Sequence, residues 1–184
     1  MINYPTRADL RGLVSNMSIQ EQASVRKSAE GRSPTGATFL SHSSRDSDIL
    51  PGAIQLLENH GATVYVDKKD PALPPYTSKA TAEILKTRIN QSKKFVLLAS
   101  ENSKESRWVP WELGLADGYK TMHQVAILPT VETRTDTDWT KWEFLGIYDR
   151  IVWGGHQSYK GDIWMVLDHK ANTATELRQW LERP

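Results

Sequence analysis

From Ala37 onward the chain alternates short apolar runs with segments of helical period, and this alternation limits the possible folds more than any other feature. Repetition of this kind builds a parallel sheet, because parallel neighbours need a crossover connection and a helix is the usual one. The pattern predicts a first strand over Ala37–Ser41 and a first helix from near Asp48 to His60. Pro51 falls in that helix's first turn and Gly61 follows its end, the asymmetry expected of helix termini. A second strand covers Thr63–Asp67, and a loop rich in proline runs on to Tyr76. A second helix starts at a Thr77 or Ser78 cap and reaches about Gln91.

The third strand is Lys94–Ala99, apolar through Phe95-Val96-Leu97-Leu98 and so expected to be buried on both faces. The third helix covers Ser106 to Lys120. With Arg107 as its first residue, Pro110 is the fourth, where the missing N–H had no intrahelical acceptor in any case. A fourth strand is expected over Gln124–Leu128, a short helix over Trp139–Ile147, and a fifth strand over Arg150–Trp153. Ile163–Leu167 reads as a further edge strand and Thr175–Glu182 as a final helix. The fold class is therefore α/β, with a doubly wound parallel five-stranded sheet in the order 2-1-3-4-5 and flanking helices. Residues 1–35 read as a short helical N-terminal appendage and linker, and residues 36–184 as the main domain with a C-terminal extension.

Composition narrows the function classes. The 184 residues suit one α/β domain plus a short appendage. The 23 basic residues nearly balance the 22 acidic ones, which gives no electrostatic reason to expect nucleic acid or an anionic membrane as partner. No stretch approaches the roughly 18 to 20 apolar residues of a membrane span, and the first residues lack an apolar signal core. The sequence reads as a cytoplasmic protein. It has no cysteine, which excludes thiol catalysis and cysteine-bound metal. The five histidines are scattered, so no metal is expected.

In a doubly wound sheet, ligands bind beyond the carboxyl ends of the strands where the winding reverses. That point lies between the first and third strands. It brings together Ser41-His42-Ser43-Ser44-Arg45, Ser100-Glu101-Asn102-Ser103 and the start of the third helix. On this helix Trp108, Glu112, Leu115 and Tyr119 share a face, beside a stripe of Val109, Leu113 and Ala116. Glu112 is either an ordinary helix former leaning into solvent or a carboxylate held in a partly desolvated crevice. Carboxylates of the second kind are disproportionately catalytic. A lone carboxylate can stabilise an oxocarbenium-like sugar centre or orient ribose hydroxyls, and both roles fit cleavage of an N-glycosidic bond. Ser41 and Ser43 either cap the first loop or hold ribose or phosphate. Arg45, Lys68, Lys69 and Arg107 are candidates to neutralise a pyrophosphate, and Lys79 joins the candidate binding residues at the head of the second helix. No G-x-G-x-x-G, P-loop or G-x-S-x-G element is present.

Four boxes in order carry a family resemblance. They are Thr38-Phe39-Leu40-Ser41-His42-Ser43 followed by Asp46 and Asp48; Val64-Tyr65-Val66-Asp67 with the loop to Ser78; Phe95 to Ser100; and Trp108-Val109-Pro110-Trp111-Glu112. From about Thr38 to Trp153 the chain resembles TIR (Toll/interleukin-1 receptor) domains of the bacterial stand-alone kind. The resemblance implies a flavodoxin-like fold and, in many members, cleavage of the nicotinamide–ribose bond of NAD by the residue matching Glu112. NAD is then the substrate. Phe39, Ser41, Ser43 and the Asp67–Ser78 (BB) loop would border the NAD pocket, with Trp108 beside the glutamate. The chain is also similar to the signalling subunit of Thoeris antiphage systems, whose members make a cyclic or otherwise modified ADP-ribose that activates a separate effector. Self-association through the BB loop is a further expectation from the family. The extra N-terminal segment, and Pro110 and Trp111 within the fourth box, depart from the commonest pattern. Two other classes stay open: a non-catalytic interaction module, and an enzyme similar to nucleoside deoxyribosyltransferases.

Overall fold

The computed structural model describes residues 2–67, 79–106, 108–134 and 145–184. The loop over 68–78, Arg107 and most of the helix expected over Trp139–Ile147 lie outside the described residues; of that helix, Leu145–Ile147 forms a 3-10 turn.

Strands β1 (Ile2–Asn3), β2 (Thr38–Ser41), β3 (Val64–Tyr65), β4 (Lys94–Ala99), β5 (Val125–Pro129), β6 (Asp149–Gly155), β7 (Asp162–Asp168) and β8 (Thr173–Glu176) form one sheet. Its path is β3-β2-β4-β5-β6-β7-β8, with β1 also on β6. The first five of that path are all parallel to their neighbours and reproduce the order 2-1-3-4-5. Three antiparallel strands exceed the expected five. β7 pairs β6, β8 pairs β7, so β7 is not an edge, and β1 pairs the far end of β6.

The parallel strands are buried on both faces, and their side chains alternate between two cores. Leu40, Val96, Leu98, Ala126 and Leu128 face one core, with α1 (Arg7–Gly12), α2 (Ile19–Gly31), α3 (Leu50–Asn59) and α7 (Leu177–Glu182). Phe39, Phe95, Leu97, Val125 and Ile127 face the other, with α4 (Lys79–Gln91) and α6 (Trp108–Tyr119). A short helix, α5 (Glu101–Lys104), separates β4 from α6. α6 thus begins at Trp108, and Pro110 is its third residue, still among the positions whose N–H has no intrahelical partner.

The N-terminal segment is helical, as its sequence suggests, and it is woven into the domain. Thr6 and Asp9 form a capping box on α1, and Ser18 and Glu21 form another on α2. Ser28–Gly31, which reads as the start of a linker, is the last turn of α2. Arg7 N donates to Val131 O at 3.0 Å and Val131 N donates to Pro5 O at 3.1 Å, so the segment runs against the end of β5. Leu10 and Ala29 are fully buried in the first core.

α1 crosses α3 at Gly52. A Cβ built there would stand 2.0 Å from the Leu10 carbonyl oxygen, a clash with backbone. Gly52→Ala is therefore expected to lower stability by about 1–3 kcal/mol, the usual cost of overpacking. Gly118 on α6 has nothing within 4 Å of its Cβ position, so Gly118→Ala is expected to be neutral or slightly stabilising. Urea denaturation of the two variants beside the wild type checks both.

Candidate active site

β2 ends at the winding reversal, and its alternation decides what stands there. Phe39 and Ser41 point toward α6, while Leu40 points the other way. Phe39 stacks on Phe95 with ring centres 5.6 Å apart and tilts against Tyr65 at 5.5 Å. It forms the floor beneath Ser41, two residues further along the same face.

Glu112 faces Ser41 from the second turn of α6. The residue is 1% exposed and belongs to the buried stripe of Val109, Leu113 and Ala116. The solvent-facing alternative for Glu112 is thereby excluded. The Ser41 hydroxyl donates to Glu112 Oε2 in a hydrogen bond that joins residues 71 apart in sequence. A carboxylate placed in so dry a position needs donors to offset its lost hydration. Trp108, one turn before Glu112, is half-buried and packs edge-on to Trp111 with centroids 5.3 Å apart. Ser106 Oγ accepts from Val109 N at 3.3 Å and steadies the head of the helix.

The other candidates divide. Ser43 is buried and caps the 3-10 turn over Ser44–Asp46, its Oγ accepting from Arg45 N at 3.3 Å. That is the capping role its sequence context allowed. Arg45 is exposed and its guanidinium pairs with Glu105. Asp67 pairs with Arg88 of α4 and accepts from the Tyr65 hydroxyl at 3.0 Å. Arg45 and Asp67 are thus committed to protein partners. Lys79 is exposed at the first position of α4. Lys68, Lys69 and Arg107 lie outside the described residues.

Sequence reasoning noted Asp46 but gave it no role. It is fully buried on the loop after β2. It accepts from Ser100 Oγ at 2.6 Å, Asn102 Nδ2 at 2.7 Å and Arg7 at 2.9 Å. Asp46 therefore ties together the loops after β2 and β4 and the N-terminal segment. Arg7 and Arg11 also hold Asp48, at 2.5 and 2.9 Å. The acidic residue was visible in the sequence; its partner 39 positions upstream was not. No group of three or more His, Asp or Glu suited to a metal occurs among the described residues. No described helix is long and apolar enough to cross a membrane.

A desolvated carboxylate at the carboxyl ends of the strands, with indoles on its own helix, can face a cationic sugar carbon and exclude water from it. Comparison with known proteins bears on which chemistry this is. The TIR domain profile matches residues 38–153. The chain belongs to the TIR domain family. This TIR chain is 37% identical over 148 residues to the "Probable 3' cyclic ADP-D-ribose synthase ThsB'" of Bacillus cereus (strain MSX-D12), covering 79% of this chain and 75% of that protein. It is 36% identical over 78 residues to the "Putative cyclic ADP-D-ribose synthase TIR2" of Cytobacillus dafuensis, covering 41% of this chain and 21% of that protein. The family match begins at the start of β2, so the N-terminal β1, α1 and α2 precede it.

Two predictions follow from this TIR site's geometry. Ser41→Ala leaves the buried Glu112 without the Ser41 donor and is expected to cost about 1–3 kcal/mol, read by urea denaturation. For Asp48, burial pushes the carboxyl up, but the hydrogen bonds and charges of Arg11 and Arg7 outweigh it and hold the carboxyl below its ordinary value. A carboxyl depressed in the folded state adds stability above its unfolded pKa, about 3.9, that is lost as pH falls through the lower folded value. Melting temperature is thus expected to fall as pH drops below about 4, and Arg11→Ala should flatten that part of the profile.

Proposed function

We propose that this TIR chain cleaves the nicotinamide–ribose bond of NAD and closes the remaining ADP-ribose into a cyclic product. The observation that carries the reading is the buried Glu112 carboxylate, bonded to Ser41 at the winding reversal. The name of the Bacillus cereus relative, a probable 3' cyclic ADP-D-ribose synthase that aligns with most of the chain, supports it. In NAD the nicotinamide nitrogen is already cationic. When the C1′–N bond breaks, the bonding pair goes to that nitrogen and nicotinamide leaves neutral, so no protonating acid is required. The positive charge moves to the ribose C1′ and its ring oxygen. Glu112 stabilises this charge and orients the ribose hydroxyls. A hydroxyl of the same ADP-ribose then attacks C1′ and loses its proton. The relative's name makes a 3′ linkage the first to seek.

Phe39 and Trp108 would wall the sugar, and Ser41 would hold the carboxylate in place. Self-association through the BB loop and a separate effector that reads the cyclic product complete the proposal; the loop itself lies outside the described residues. Purified protein incubated with NAD is expected to release nicotinamide and a product one water lighter than ADP-ribose, as read by chromatography and mass spectrometry. Glu112→Gln keeps a partner for Ser41 and the volume of the side chain but removes the charge. It is expected to lower turnover by about 10²-fold or more while remaining folded. Unchanged nicotinamide release in folded Glu112→Gln would sink the assignment. ADP-ribose as the sole product would sink the cyclisation.

A further inference from the structure

A cavity of about 370 Å3 lies at the amino end of β4. Lys94 begins that strand and Ser100 follows its end, so six residues of strand, roughly 20 Å, separate it from the site above. Its walls include Lys94, His123, Asp149, Asp168, Trp180 and Arg183. The volume falls within the range of small-molecule sites, roughly 300–1,000 Å3.

Lys94 is the anomaly. The residue is 1% exposed. Its ammonium donates to His123 O at 3.4 Å and lies 4.8 Å from the centre of the Trp180 ring. Those are its contacts among the described residues, and no carboxylate is among them. The charges that act on it are cations, namely Lys93, Arg183 and Lys120. Burial first and this repulsion second pull it down to about 8. Lys93 and Lys120 are already committed, donating to Glu182 O at 2.6 Å and Ser92 O at 2.5 Å. Trp180 is 4% exposed, and its Nε1 is buried without an acceptor. An indole N–H can only donate, and so can an ammonium. The residues around one cavity thus include Lys94, whose buried ammonium lacks a counter-charge, Trp180, whose buried indole N–H lacks an acceptor, and the guanidinium-bearing Arg183.

One anionic acceptor could answer all three: a counter-charge for Lys94 and Arg183 and an acceptor for the indole N–H. A phosphate group answers them better than a carboxylate, because its greater charge suits several cations and its oxygens accept from several directions. The lining also holds groups of another kind. Asp149 and Asp168 are among them, with Thr173 and Thr175. These groups accept hydrogen bonds from hydroxyls and would repel further phosphate. We propose that this cavity binds a small phosphorylated, hydroxyl-bearing solute, with its phosphate on Lys94, Arg183 and Trp180 Nε1 and its hydroxyls toward Asp149 and Asp168.

The test follows the indole N–H signals of the full chain by 15N NMR during titration with inorganic phosphate and with ribose 5-phosphate. Trp180→Phe identifies the Trp180 signal. Saturable movement of that signal is expected with both probes, at lower concentration for ribose 5-phosphate. Lys94→Met keeps the apolar stem and removes the buried charge; it is expected to raise the midpoint by about tenfold or more, the weight of one charge-assisted hydrogen bond. Arg183→Ala, at an exposed position, is expected to weaken binding in the same direction and serves if Lys94→Met fails to fold. A Trp180 signal that neither probe moves would overturn the proposal, as would unchanged midpoints in the variants. Equal midpoints for the two probes would overturn the hydroxyl-binding half. None of these readouts depends on NAD turnover, so the outcome is independent of the function proposed above.

Discussion

A carboxyl group taken out of water loses hydration that donors must replace, and Glu112, 1% exposed, is such a group. Its donor in β2 is Ser41, and that pairing makes demands on the whole sheet. Ser41 reaches α6 only because β2 alternates Phe39 and Ser41 to one face and Leu40 to the other. A slip of one residue would put an isobutyl group where the hydroxyl stands. The register is held by the ring contacts of Phe39 with Phe95 and Tyr65, its partners on the two neighbouring strands. The carboxylate therefore depends on central-strand pairing, and pairing depends on an aromatic layer directly beneath it.

A second buried carboxylate does for the loops what Glu112 does for the helix. Loops at the carboxyl ends of strands are ordinarily the most mobile part of such a fold. Here Asp46 gathers donors from the loop after β4 and from Arg7. The N-terminal segment thereby becomes part of the frame around the site. β1 adds to β6, Leu10 enters the core, and Arg7 bridges to Asp46 and Asp48. Removing a partner from a buried ion pair costs more than the pair itself contributes, because the remaining charge stays desolvated. The segment and the loops therefore hold one another, although the family match starts only after the segment ends.

What the sequence disclosed and what it hid separate along the range of the interactions. The strand over Lys94–Ala99 was legible to the residue, since a doubly buried strand shows as an unbroken apolar run. The order of the five parallel strands followed from right-handed crossovers. Helical spacing set Glu112 beside the apolar stripe of α6 but left open whether it leaned into solvent, and its burial decides that. β8 was hidden because Thr173–Glu176 merges into the pattern of α7, and only pairing with β7 makes it a strand. The turn that permits this pairing places Asn172 at φ 52°, a conformation Asn tolerates better than most residues. The bonds from Arg7 to Asp46 and from Ser41 to Glu112 span 39 and 71 positions. No local pattern announces contacts of that range. The ion pairs of Arg45 and Asp67 were hidden for the same reason. Their ion-pair partners, Glu105 and Arg88, are remote in sequence.

On the proposed chemistry, the indoles on the helix of Glu112 bear on the product more than on bond cleavage. Once nicotinamide has left, C1′ is captured by whichever oxygen is nearest, and water at its bulk concentration is the default. An internal hydroxyl prevails only if it is held close and water is kept away. Pro110 fixes the backbone in the first turn of α6, at a position where it forfeits no helical hydrogen bond. Trp111 follows it and sets its ring edge-on to Trp108, one turn before the carboxylate. Two large apolar surfaces are thereby held on one stiffened turn of α6. On the proposed chemistry, glycosidic cleavage depends on the charge of Glu112. The choice between opening to ADP-ribose and closing to a ring depends on the shape that Trp108, Pro110 and Trp111 give to that turn.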